Sequence, residues 1–310
     1  MIDTTGTAAS GRRAALTAAR TWWPAIRLGV QDAHRVYHPP PGRPGRTPAH
    51  KGMAMRPVSV TTSRDAVRLD GWFVPGDGPH TVVVCHGMGR TRSAVLDHIR
   101  LLHDAGHHVF AYDLRNHGGS SSDRRLGRMA SRFTSDLRDV LAAVAADAEM
   151  GEGRLAVLAF SFSTWPAVYA LKGKGPEVAA VICDSGPMYD IPSGFRHFAS
   201  LRWGTLGEEW KRPGAYGLYR FAFTLAGTRM LAVRNWPPPL PGVRTRLMFI
   251  AGANDPVVPA GQVMRVARRY PGAERWVAPE AQHMNAVRLD REEYRERVVG
   301  FLSRAFGEAT

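Results

Sequence analysis

The chain carries a hydroxyl, a carboxylate and an imidazole in the order Ser161, Asp255, His283, each at the kind of local turn that leaves a side chain reactive. Ser161 follows the apolar run Leu155 to Phe160 and precedes a helical pattern. A strand-to-helix turn this tight strains the backbone at the serine and lifts its oxygen above a sheet. Asp255 lies in Gly252-Ala253-Asn254-Asp255-Pro256-Val257-Val258-Pro259, after another apolar run. His283 is the only histidine downstream of it. A carboxylate on the first of these turns can fix the tautomer of an imidazole on the second and stabilise it when it takes a proton, and that imidazole can deprotonate a serine. Upstream, His86-Gly87-Met88-Gly89 follows Val82-Val83-Val84. Its glycines let the loop turn so that the Met88 N–H points to the same spot as the N–H of Phe162, giving two donors for an oxyanion. His86, Gly87 and Gly89 support that loop.

Rival readings exist for several of these residues. The residues around the serine read Ala159-Phe160-Ser161-Phe162-Ser163, where the usual pattern has glycine two before and two after. Alanine costs one methyl; serine costs more, because the helix must approach closely. Ser163 is also a candidate helix cap. Asp184, after Val181-Ile182-Cys183, is a second candidate for the acid. Asp113, Arg115 and His117 follow another apolar run and read as bracing beneath the loops.

The elements that must position these groups alternate along the chain. Val58 to Thr62 and Val67 to Val74 alternate like two antiparallel strands. Apolar strands follow at Thr81–Cys85, His108–Asp113, Leu155–Phe160, Val178–Asp184, Leu247–Ala251 and Arg275–Ala278. Helices are expected at Ser93–Ala105, Thr134–Ala146, Ser163–Leu171, Ala260–Tyr270 and Glu292–Phe306. Such alternation predicts an α/β fold, a mostly parallel sheet with helices on both faces. The stretch 185–243 breaks the rhythm, is rich in aromatic residues and is too long for an ordinary connection, so it is expected to be a helical cap. Residues 1–56 form a helical arm, from Ala14 to Val36 with a break or kink at Pro24, and a proline-rich linker from Pro39 to Gly45. The core is then 57–184 and 244–310.

Composition bounds the remaining classes. With 310 residues, 44% hydrophobic and 22% charged, the chain has ordinary globular composition. The formal charge of +14 is carried almost entirely by arginine, since lysine occurs only at Lys51, Lys172, Lys174 and Lys211. Coding bias accounts for this, or attraction to an acidic membrane surface, carrier partner or substrate. Zinc-finger spacing and base-stacking aromatic strands are both lacking, which argues against nucleic acid. Cys85 and Cys183 end strands separated by one other, about 9–10 Å apart, beyond the roughly 7 Å limit of a disulfide; they read as reduced thiols, compatible with a cytoplasm. Met1 to Ser10 shows no secretory leader. The arm, with Trp22, Trp23 and several arginines, either packs on the main domain or rests on an anionic membrane surface as a peripheral contact.

From about Val58 to Phe306 the chain resembles the α/β-hydrolase superfamily, in bacterial single-domain serine hydrolases with an N-terminal arm. The resemblance rests on His86-Gly87, Asp113…His117-Gly118…Ser120, the turn around Ser161, Gly252…Asp255…Val258-Pro259 and His283. It implies an acyl-enzyme on Ser161, a small acyl substrate, free or carrier-bound, and neither cofactor nor metal. The expected activity is hydrolysis of an ester or thioester with an apolar acyl part. The alternatives are acyl transfer or carboxylate elimination in biosynthesis, and an inactive binding protein of the same fold.

Overall fold

A computed structural model of the chain describes residues 22–40, 42, 45–173 and 175–308. The expected helix start at Ala14, the stretch Met1 to Ser10, and Pro41, Arg43 and Pro44 of the linker lie outside the described residues. Among the described residues eight strands form one sheet in the order β1-β2-β4-β3-β5-β6-β7-β8. The strands are β1 (Arg56–Thr61), β2 (Arg68–Val74), β3 (Thr81–Cys85), β4 (His108–Tyr112), β5 (Leu155–Phe160), β6 (Val178–Asp184), β7 (Arg246–Gly252) and β8 (Glu274–Ala278). The pairs β1–β2 and β2–β4 are antiparallel and all others parallel.

Burial follows position in the sheet. Every residue of β3, β4 and β5 is buried, as a strand covered on both faces requires. The edge strands β1 and β8 alternate between buried and more exposed residues. The helices are α1 (22–37), α2 (Leu96–Asp104), α3 (Met129–Ala146), α4 (Thr164–Ala170), α5 (Ile191–Leu201), α6 (Pro213–Leu231), α7 (Ala260–Ala267), α8 (Ala286–Leu289) and α9 (Arg291–Phe306). One core joins Val82, Val84, Leu158 and Ile182 of the sheet to Ile99 of α2, Val287 of α8 and Phe301 of α9. The alternate residues Val83, Val157 and Val181 are equally buried, and α4 packs on β5 and β6 with α3 beside it. Cys85 and Cys183 are free and buried, and both lie in register with Ala159 from opposite sides.

The described residues divide into two compact units, one drawn from 37–190 and 232–308 and the other from 22–36 and 191–231. The stretch 185–243 is therefore shared between them. Residues 232–243 stay with the sheet unit because the Trp236 indole lies against Trp165 and stacks near Tyr169, donates to the Met188 carbonyl at 2.9 Å, and Tyr270 donates to the Pro238 carbonyl at 2.9 Å. In the smaller unit α1 runs unbroken through Pro24, which sits in its first described turn. Tyr219 of α6 donates to Asp32 of α1 at 3.1 Å, and Phe195 of α5 packs between Phe198 and Phe223.

Arg115 is wholly buried below the end of β4. It donates to both Asp136 oxygens at 2.6 Å, to Asp65 at 2.8 Å and to Asp123 at 2.5 Å. These carboxylates come from α3, the β1–β2 turn and the loop after β4, so one guanidinium joins three segments. Removing it leaves the almost inaccessible Asp136 carboxylate without a cationic partner, whereas Asp65 keeps Arg125 and Arg132 and Asp123 keeps the Arg125 amide. Arg115→Met is expected to lower the unfolding free energy by about 3–5 kcal/mol, read from urea denaturation.

Candidate active site

The three residues singled out in the sequence meet above the C-terminal ends of the parallel strands. Ser161 occupies the turn between β5 and α4 with φ of 51°, a left-handed conformation that costs a non-glycine residue about 1–3 kcal/mol. Thr164 steadies the turn by donating its hydroxyl to the Ser161 carbonyl at 2.5 Å. Asp255 follows β7, and His283 follows β8. The loops bearing them lie backbone to backbone. A side chain on Gly252 would fall 2.4 Å from the Ala281 carbonyl, and the Asn254 amide donates to that same carbonyl at 2.9 Å. Only glycine allows this approach, and the carboxylate and imidazole are thereby held at a set separation.

His283 Nε2 is 2.9 Å from Ser161 Oγ, and Nδ1 is 2.8 Å from Asp255 Oδ2. A carboxylate only accepts, so Nδ1 carries the proton and donates to Asp255; Nε2 is then the acceptor for the serine hydroxyl. Asp255 Oδ1 accepts from the amides of Val257 at 2.7 Å and Val258 at 2.9 Å. Its side chain is inaccessible, whereas that of His283 is 20% exposed. The acid is thus buried and orientated by backbone, and the base faces outward to the serine.

The expected loop supports also converge here. A side chain on Gly87 would meet the Ser161 Cβ and the Met284 sulfur, each at 3.2 Å, so the loop after β3 passes directly beside the serine. Among the described residues the Met88 N–H donates to no protein acceptor, while Gly89 N donates to His117 Nε2 at 3.0 Å. His86 is fully buried, accepts from the Leu114 amide at 3.0 Å through Nε2 and donates through Nδ1 to the Gly87 carbonyl at 2.7 Å. Burial lowers its pKa to about 4 and that of His117 to about 3, so both rings are neutral struts near pH 7. Asp113 accepts from the Arg92 amide at 2.7 Å and the Gly119 amide at 2.8 Å, and burial raises its pKa. The Phe162 ring meets Phe133 edge-on at 5.0 Å and Tyr37 at 6.2 Å.

Two residues do something the sequence does not announce. Ser163, a candidate cap, makes no capping bond; its buried hydroxyl donates to the His86 carbonyl at 2.5 Å. The serine in the place of the second glycine therefore ties α4 to the loop beside Ser161. Asp184, the alternative acid, is not bonded to His283. Its oxygens accept from Tyr294 at 2.7 Å and from Ser185 at 2.8 Å, and the Ser185 hydroxyl oxygen accepts from the Met284 amide at 2.8 Å. It supports the loop carrying His283 through Ser185. Helical periodicity marks Tyr294 only as a core residue, and no spacing rule links it to Asp184.

A strained serine between a parallel strand and a helix, with a carboxylate and an imidazole past the ends of the last two strands, defines an α/β protein with a serine at a strand-to-helix turn. Residues 82–299 match the family model described as "Alpha/beta hydrolase family", and the chain belongs to that family. Among solved structures, an esterase of Pyrococcus furiosus is 24% identical over 88% of this chain and 98% of its own, with a TM-score of 0.69. The alpha/beta hydrolase GrgF from Penicillium sp. sh18 is 17% identical over 82% and 100%, with a TM-score of 0.66. An esterase from Exiguobacterium antarcticum is 17% identical over 79% and 98%, with a TM-score of 0.58. At these identities the likeness establishes the fold. No curated protein matches the sequence.

Two outcomes are expected. Ser163→Ala leaves the His86 carbonyl without its donor, which costs about 1 kcal/mol of stability; turnover is expected to fall more than KM changes, as steady-state kinetics will show. Burial holds the Asp184 carboxyl up at about pKa 6, against an ordinary 3.8. Its contribution is full below the unfolded value and is lost as pH rises through the folded one. Relative to Asp184→Asn, the natural protein is expected to lose on the order of 3 kcal/mol across that window, measured by denaturation at graded pH.

Proposed function

We propose that the protein is a serine hydrolase of carboxylic esters or thioesters with an apolar acyl part, acting through an acyl-enzyme on Ser161. The observation that carries this reading is the continuous hydrogen-bond chain from Asp255 through His283 to Ser161. His283 Nε2 takes the serine proton as Oγ bonds to the acyl carbon. Asp255 stabilises the imidazolium that forms. The amides of Met88 and Phe162 hold the carbonyl oxygen as it becomes negative, an effect worth roughly 3 kcal/mol per donor. The leaving alcohol or thiol departs with the proton from Nε2. Water then gives a proton to the same nitrogen and attacks the acyl-serine, and the acid leaves as Oγ recovers its proton. The Met284 side chain beside the serine favours an apolar acyl group. The esterase titles of the Pyrococcus and Exiguobacterium structures agree with this class of substrate.

Ser161→Ala is expected to abolish covalent labelling by a fluorophosphonate probe and to reduce hydrolysis of p-nitrophenyl acyl esters at least a thousandfold. Unchanged labelling stoichiometry in the variant overturns the assignment of the nucleophile.

A further inference from the structure

The smaller unit carries an apolar surface that its own packing does not explain. Among the described residues, seven of the ten large hydrophobic side chains that are exposed lie in it, although the sheet unit is several times larger. α6 is the clearest case. It buries Ala215, Tyr219, Ala222 and Phe223 on one side, yet its other side presents Phe221, 65% exposed, and Leu225. A helix with one buried face ordinarily turns polar residues outward. The only charged residues in α6 are Arg220 and Arg229, and both are exposed. On α1, Trp23, 70% exposed, and Val30 lie outward with Arg27.

The charge in this unit is one-sided. Its described residues include eight lysines and arginines against three acids. Asp32 is buried and paired with Arg35 and Arg202, and Glu208 is paired with Lys211. Arg27, Arg220 and Arg229 have no acidic partner among the described residues. Exposed aromatic and aliphatic groups interspersed with guanidinium groups that no described carboxylate neutralises match a surface with an apolar interior and an anionic rim. No described helix is long and apolar enough to cross a membrane, so the fit is to the interface and not the interior. We propose that the exposed sides of α6 and α1 bind the surface of an anionic lipid bilayer, with Phe221, Leu225 and Trp23 entering the acyl boundary and the arginines on lipid phosphates. This stands independently of the chemistry at Ser161.

The test is co-sedimentation of the full chain with vesicles of equal parts phosphatidylcholine and phosphatidylglycerol, against pure phosphatidylcholine. Binding is expected only to the anionic vesicles, falling as salt is added. The double variant Phe221→Gln, Leu225→Gln is expected to bind roughly tenfold more weakly, with esterase activity on a water-soluble ester unchanged. Should that variant fail to fold, Arg220→Gln with Arg229→Gln is expected to show the same loss. Three results overturn the proposal: no binding to either vesicle, equal binding by natural and folded variant proteins, or a natural dimer that the variant converts to monomer. The last places a second copy of this chain on the face.

Discussion

The bond between the His283 imidazole and the Asp255 carboxylate is the constraint on which the rest of the site depends. It makes one ring nitrogen a donor and leaves the other as the sole acceptor facing Ser161. That assignment is meaningful only while the ring cannot rotate. The carboxylate cannot move because two backbone amides hold its second oxygen. The histidine loop cannot move because Gly252 presses against it and Ser185 anchors Met284. Each restraint on the base is itself restrained by a group below it.

The lower groups share a pattern. Asp113, Asp184, His86, His117 and Arg115 are all buried at or just past the C-terminal ends of strands, and all are spent on backbone or side-chain hydrogen bonds. Burying them is costly unless every polar atom is satisfied, and satisfied networks are stiff. The sheet supplies the stiffness below and these networks carry it into loops that have no regular hydrogen-bonding ladder of their own. A serine held at positive φ needs such a frame to persist.

Much of this was legible in the residues. The strands Thr81–Cys85, Leu155–Phe160 and Val178–Asp184 have the bounds expected from their apolar runs, because a strand covered on both faces leaves no polar residue inside it. α3 begins at Met129, five residues before the expected start, because its N-cap is Arg128 at φ 57°, a residue type and conformation that do not mark a helix opening. The convergence of Ser161, Asp255 and His283 followed from their order and turn contexts. The roles of Ser163, Ser185 and Tyr294 did not. Each depends on which atom of a distant segment lies within 3 Å, and hydrophobic periodicity says only whether a residue faces in. The division of 185–243 between two units was likewise hidden, because aromatic residues that pack on the sheet and those that pack on α1 have the same composition.

Ser163 alters what a motif at the nucleophile turn can be taken to mean. A rule that demands glycine there treats the position as empty space. In this chain the space holds a hydroxyl that reaches the next loop, so the position is both a volume limit and an anchoring point. A filter keyed to glycine passes over such chains, whereas one that admits any residue no larger than serine, and asks whether a carbonyl lies opposite, retains them.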